Sequence, residues 1–127
     1  MLGEYKVVAM LATTQPERAI VFYREVLGLE LLVDQWHTVV FTAGGTRLHI
    51  QKVKELSPQP FTALGWDVPD IKAMAAKLAK KGVKFERYQG MDQDEAGIWT
   101  TPGGAAQVCW FKDPDGNTLS LTQFPSK

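Results

Sequence analysis

A unit of strand, helix, glycine stop and three short strands occurs twice in this chain, and that repetition narrows the possible folds more than any other feature. In the first copy Ala19, Ile20, Tyr23, Val26 and Leu27 mark an apolar stripe at helical spacing, and Gly28 follows as the stop. In the second copy Ile71, Met74, Ala75 and Leu78 form the stripe, Pro69-Asp70 starts it, and Gly82 is the stop. Thr13 or Thr14 is expected to cap the first helix, with Pro16 tolerated in its first turn. Strands are predicted at Tyr5–Leu11, at the alternating Leu29, Leu31 and Val33, at His37–Thr42, and at Thr46–Val53 beyond the Gly44-Gly45 turn. The second copy offers Phe61–Val68, Val83–Tyr88, Ala105–Phe111 and Thr118–Thr122. Each copy reads βαβββ, with the boundary between residues 58 and 59. Short loops make neighbouring strands antiparallel.

The two copies differ in length. The helix-end glycines lie 82 − 28 = 54 residues apart and the hairpin glycines Gly45 and Gly116 lie 116 − 45 = 71 apart. The second copy therefore carries 71 − 54 = 17 extra residues, mostly between Gln89 and Gly104. A long insertion in one repeat points to function rather than to filler.

Composition excludes several classes of partner. Fourteen basic and fourteen acidic side chains cancel, so nothing marks a nucleic-acid surface. No apolar run approaches the ~20 residues of a membrane span. Met1–Lys6 lacks the charged-then-apolar layout of a secretory leader, and the expected location is the cytoplasm. A single cysteine allows neither an internal disulfide nor a cysteine-based zinc site. No phosphate-binding glycine loop and no Ser-His-Asp order is present, and no cofactor is expected.

The last turn carries a second layer of information. Asp113-Pro114-Asp115-Gly116-Asn117 is a tight-turn sequence between two apolar runs. Together with Arg18-Ala19-Ile20-Val21-Phe22-Tyr23-Arg24-Glu25-Val26-Leu27-Gly28-Leu29 and Trp66-Asp67-Val68-Pro69-Asp70-Ile71, it resembles the vicinal oxygen chelate superfamily, which includes glyoxalase I, extradiol dioxygenases, and fosfomycin- and bleomycin-resistance proteins. The resemblance covers nearly the whole chain. It implies an α+β fold in which two tandem βαβββ modules form curved mixed sheets around a cup, with the helices outside. It also implies a homodimer and a small organic ligand.

Family enzymes bind a divalent metal through the first and last strands of each module. Registering this chain on Phe22-Tyr23 places Val8, His49, Ala63 and Ser120 at those four positions. Only His49 is a suitable donor there, and a catalytic metal needs about three protein ligands. No one-residue slip restores the set, so no metal site is expected.

The candidate ligand contacts follow from face alternation. Arg47, His49 and Gln51 share one face of a strand whose other face, Leu48 and Ile50, should meet the helix. That polar face either lines the cup or is a solvated edge. Phe41, Trp110 and Ser120 join it as candidate contacts, although Trp110, which follows Val108 in its strand, reads first as a core residue. Trp99 closes the inserted loop and reads either as a flat lid over a planar ligand or as packing. Cys109 reads as a packed thiol. Asp92, Asp94 and Glu95 form a solvated acidic loop. Three functions stay open: a metal-independent small-molecule binder, a glyoxalase-like lyase or isomerase with a non-standard site around His49, and a non-catalytic interaction module with a filled interior.

Overall fold

The computed structural model describes residues 1–126 and divides them into two compact units, 1–58 and 59–126. Each holds a four-stranded mixed sheet and one helix, so the architecture is α+β with two tandem βαβββ modules. Among the described residues no helix is long and apolar enough to cross a membrane.

In the first unit the strands are β1 (Val8–Thr13), β2 (Glu30–Asp34), β3 (Thr38–Ala43) and β4 (Thr46–Lys52), in the order β1-β4-β3-β2. β1 pairs parallel with β4, and the other neighbours are antiparallel. The helix α1 (Pro16–Ile20) continues through a wider, π-type stretch, Val21–Val26. Gln15, not Thr13 or Thr14, holds the cap position, but its N–H donates to Thr13 Oγ1 at 3.0 Å, so Thr13 still ties the chain entering the helix. Gly28 ends the helix at φ 79°, a conformation that costs other residues a steric penalty. Tyr23 is fully buried and its ring meets Phe41 at 5.8 Å, which fixes the sheet face the helix covers.

The expected alternation of Leu29, Leu31 and Val33 is interrupted. The register shifts between Leu31 and Val33, so Leu29 is buried while Val33 is exposed. A bulge rotates the strand beyond it, and a period-two pattern cannot reveal one.

The second unit has β5 (Thr62–Asp67), α2 (Ile71–Lys80), β6 (Trp99–Thr100), β7 (Gln107–Lys112) and β8 (Thr118–Gln123), in the sheet order β5-β8-β7-β6. Asp70 caps α2 by accepting the Ala73 N–H at 3.1 Å, and Gln123 Oε1 accepts the Ile71 N–H at 2.8 Å. Ile71, Ala75 and Leu78 are buried, whereas Met74 is only half-buried.

The predicted strand Val83–Tyr88 does not form. Two separate segments share the edge beside β7 instead: Phe85 bridges Phe111, and Trp99 pairs with Val108. In an antiparallel ladder the paired residue numbers have a constant sum. Here the sums are 85 + 111 = 196 and 99 + 108 = 207, so the chain leaves the edge and rejoins it 207 − 196 = 11 residues later. Most of the seventeen extra residues are thus an excursion cut into one edge strand.

Side chains close the base of that excursion. Gln93 Nε2 donates to the carbonyls of Glu86 and Gly97, both at 2.9 Å, and Gln93 Oε1 accepts the Tyr88 N–H at 2.8 Å. Asp94 Oδ1 accepts the N–H groups of Ala96 and Ile98, each at 2.9 Å, and Ile98 is buried. The acidic loop is therefore a built turn, and Asp94 organises it.

Burial orders the helix variants. Ile71→Ala is expected to cost about 2–5 kcal/mol, as for a buried aliphatic truncated in a packed core. Met74→Ala should cost clearly less. Chemical denaturation of both variants checks this; equal losses would show that α2 packs on a different face.

Candidate functional site

Strand alternation sorts the second sheet into two faces. Cys109, Phe111, Leu119 and Leu121 are all buried. Phe111 meets Trp66 and Phe85 at 6.4 and 5.7 Å, which marks the core face. Trp110, Val108, Ser120, Gly65 and Trp99 take the opposite face through the pairs Trp110↔Ser120, Gly65↔Ser120 and Trp99↔Val108.

Trp110 is the centre of that face. Its Nε1 donates to Thr62 Oγ1 at 3.1 Å. Trp110 is on β7 and Thr62 on β5, with β8 between them, so the indole spans two strand spacings of about 4.8 Å each. It lies across β8, over Thr118 and Ser120, and both of these are buried. Tyr88 stands edge-on to the indole at 5.5 Å and 82°, and Trp99 lies at 6.2 Å and 35°.

Beside this cluster is a cleft of about 430 Å³ lined by Pro60, Phe61, Thr62, Tyr88, Met91, Trp110 and Thr118. No charged side chain lines it. Burial, and then the nearby Glu86 carboxylate, push the Tyr88 phenol above its ordinary pKa. Tyr88 is therefore a neutral hydroxyl near neutral pH, able to donate or accept one hydrogen bond.

The predicted contacts separate into groups. Trp99, Trp110 and Ser120 come together on the open face of the second sheet. Arg47, His49 and Gln51 share a face of the first sheet, where the residues paired with His49 are Met10 and Val40. Phe41 is misplaced by the sequence reading. It pairs with Leu48 and is fully buried against Tyr23, on the helix-covered face opposite His49. Phe61, Thr62, Tyr88, Met91 and Thr118 line the cleft without having been singled out. All lie in or beside turns or at strand ends, where no periodicity marks them; only the insertion pointed to Met91, and Tyr88 was read as the end of the strand Val83–Tyr88.

The positions that the family resemblance registers as ligands are Val8 and His49 in the first unit and Ala63 and Ser120 in the second. Val8 and Ala63 carry no donor atom, and Ser120 pairs between Gly65 and Trp110. Among the described residues no group of three His, Cys, Asp or Glu side chains can hold a metal ion.

Comparison with known proteins places this geometry. The family model for the glyoxalase/bleomycin resistance protein/dioxygenase superfamily matches residues 7–121. The chain belongs to that superfamily. Among solved structures, an integron cassette protein from the Halifax Harbour sewage-outfall metagenome matches with TM-score 0.74 at 22% identity, over 95% of this chain and 99% of that one. The bleomycin resistance determinant of transposon Tn5 gives 0.75 at 17% identity, over 96% and 99%. An antibiotic binding protein from Streptomyces sp. CB03234 gives 0.68 at 24%, over 95% and 98%. At these identities the likeness is one of fold. A search of curated proteins by sequence finds no match.

Cys109 provides a check on the core face. It is fully buried, and burial pushes its thiol up to about 12; the backbone hydrogen bond with Leu121 acts in the opposite direction, and the Asp94 charge adds to the rise. A raised pKa means that the folded state holds this proton where the unfolded chain releases it. Stability from this group is complete below about pH 8.5, the ordinary thiol value, and is lost as pH rises towards about 12. Iodoacetamide at pH 8 should label the unfolded chain and leave the folded one untouched. Rapid labelling of the native protein would place Cys109 on an open face.

Proposed function

We propose that this superfamily member binds a small, partly planar organic molecule in the aromatic cleft of its second unit, without a divalent metal. The cleft at Trp110 and Tyr88 carries the proposal: it is concave, apolar and aromatic, with a few hydroxyls to fix orientation. The superfamily includes proteins whose names describe antibiotic binding and bleomycin resistance, and two of them share this fold. Their ligands are not carried over. The shared scaffold makes binding without turnover a natural reading, although fold alone does not choose a function. The donor-poor positions Val8, Ala63 and Ser120 favour it over metal-dependent lyase chemistry.

A melting-shift screen of aromatic and heteroaromatic compounds supplies the ligand, and Trp110→Ala should then weaken it about tenfold or more, as for an aromatic anchor of a binding site. Parent-like affinity in that variant moves the site elsewhere. His49→Ala in the same titration reports on the polar face of the first unit. A loss there brings Arg47, His49 and Gln51 into the site, and an unchanged affinity leaves them out.

Dialysis against a chelator should leave the melting temperature unchanged. One zinc, nickel or manganese ion retained per chain after purification would overturn the metal-free reading.

A further inference from the structure

We propose that Thr62 and Gln93 are positioning residues that hold Trp110 and Tyr88 as a preformed platform for one flat, uncharged heteroaromatic ring. This deepens, and rests on, the small-molecule reading above.

Two independent contacts carry the inference. An indole has a single N–H donor. In Trp110 that donor is already committed to Thr62 Oγ1 at 3.1 Å. The indole therefore offers a ligand its ring face and no hydrogen bond. The same bond ties a side chain on β7 to the edge strand β5 and fixes the plane of the ring across β8.

Tyr88 supplies the second contact. It lies in the excursion, where the edge ladder has been interrupted. Gln93 replaces the ladder there, accepting the Tyr88 N–H on Oε1 and donating from Nε2 to Glu86 and Gly97. The three partners determine the amide orientation, since a flipped amide would set N–H against N–H and oxygen against two carbonyls. Gln93 thus fixes the backbone from which the Tyr88 ring meets Trp110 edge-on at 82°.

The ligand class follows from what the walls offer. With no charged side chain on the cleft, an ionic ligand would lose its hydration without compensation. An electron-rich indole face favours an offset-stacked, electron-poor ring. Walls already in place do not have to be ordered when the ligand arrives, which saves part of the entropic cost of binding.

The test titrates the full chain with quinoxaline, a neutral planar heteroaromatic. Binding is followed by melting shift and by the indole N–H signals in proton–nitrogen spectra, with the Trp110 signal assigned by its loss in Trp110→Phe. Quinoxaline should move that signal in the parent protein. Thr62→Val should shift the indole N–H towards a solvent-exposed position, speed its exchange, and weaken quinoxaline about fivefold, the scale of one modest hydrogen bond. Thr62→Ser should restore all three. Gln93→Leu should weaken quinoxaline while the Trp110 N–H stays on Thr62. Thr62 is an exposed edge-strand residue, so its variants test the idea even where Gln93→Leu is unstable.

A Thr62→Val protein with parent affinity and an unchanged indole signal overturns the positioning role. If quinoxaline leaves Trp110 unmoved while a screened compound still binds the cleft, the ligand class is wrong and the binding reading survives. If neither binds, the binding reading fails, and the Thr62 assignment is judged by the indole signal alone.

Discussion

In each unit the first strand pairs in parallel with the last, Val8↔Arg47 through Thr13↔Lys52 and Thr62↔Thr118 through Asp67↔Thr122, and most of the structure follows from that pairing. Parallel neighbours cannot be joined by a tight turn, so the chain must travel out and back between them. The helix and the two antiparallel strands are that journey. Closing it makes β4 and β8 interior strands with partners on both sides. Their alternate residues must then sort to opposite faces. Leu48, Ile50, Leu119 and Leu121 go to the core, and His49 and Ser120 go to the other side. Candidate contacts in both units are consequences of this sorting.

The sequence disclosed what is periodic. Both helices, their glycine stops and the hairpin turns were legible because a 3.6-residue stripe and turn chemistry are local signals. Register was legible only where one face is polar, as in Arg47-Leu48-His49-Ile50-Gln51. It was not legible in Thr38-Val39-Val40-Phe41, where all four residues are buried and no alternation distinguishes the faces. Phe41 was misassigned for that reason. The bulge between Leu31 and Val33 and the division of the last edge strand are tertiary facts. Each depends on which residue the neighbouring strand presents. Tyr88, Met91 and Thr62 were missed because loop and strand-end residues acquire a role only from what folds beside them.

The excursion shows how an edge strand can be cut without leaving its backbone groups stranded. Buried or half-buried amides must find partners. Here a single glutamine side chain meets three backbone groups, and one aspartate meets two. Such bonds contribute about 0.5–1.5 kcal/mol each, but leaving the groups unpaired would cost more. The polar residues of this loop read from sequence as a solvated stretch. In the fold Asp92, Asp94 and Glu95 are indeed exposed, and Gln93 and Asp94 also brace the loop, with Arg87 adding a bond to the Glu95 carbonyl at 2.6 Å. That scaffold delivers Tyr88 and Met91 to the cleft wall.

The same reasoning bears on the metal-free reading proposed above, through the surroundings of Ser120. This residue is only 6% exposed, with the Trp110 indole lying across its strand. A glutamate there would place a carboxylate beneath a flat apolar ring, and a buried charge needs a counter-charge or a metal to offset its lost hydration. On the other flank Gly65 has no side chain, and a Cβ built there would sit 2.6 Å from Ser120 Oγ. Small residues at 65 and 120 allow the indole to lie flat and reach Thr62. On the metal-free reading proposed above, the residues at this point of the fold are those of the stacked ring.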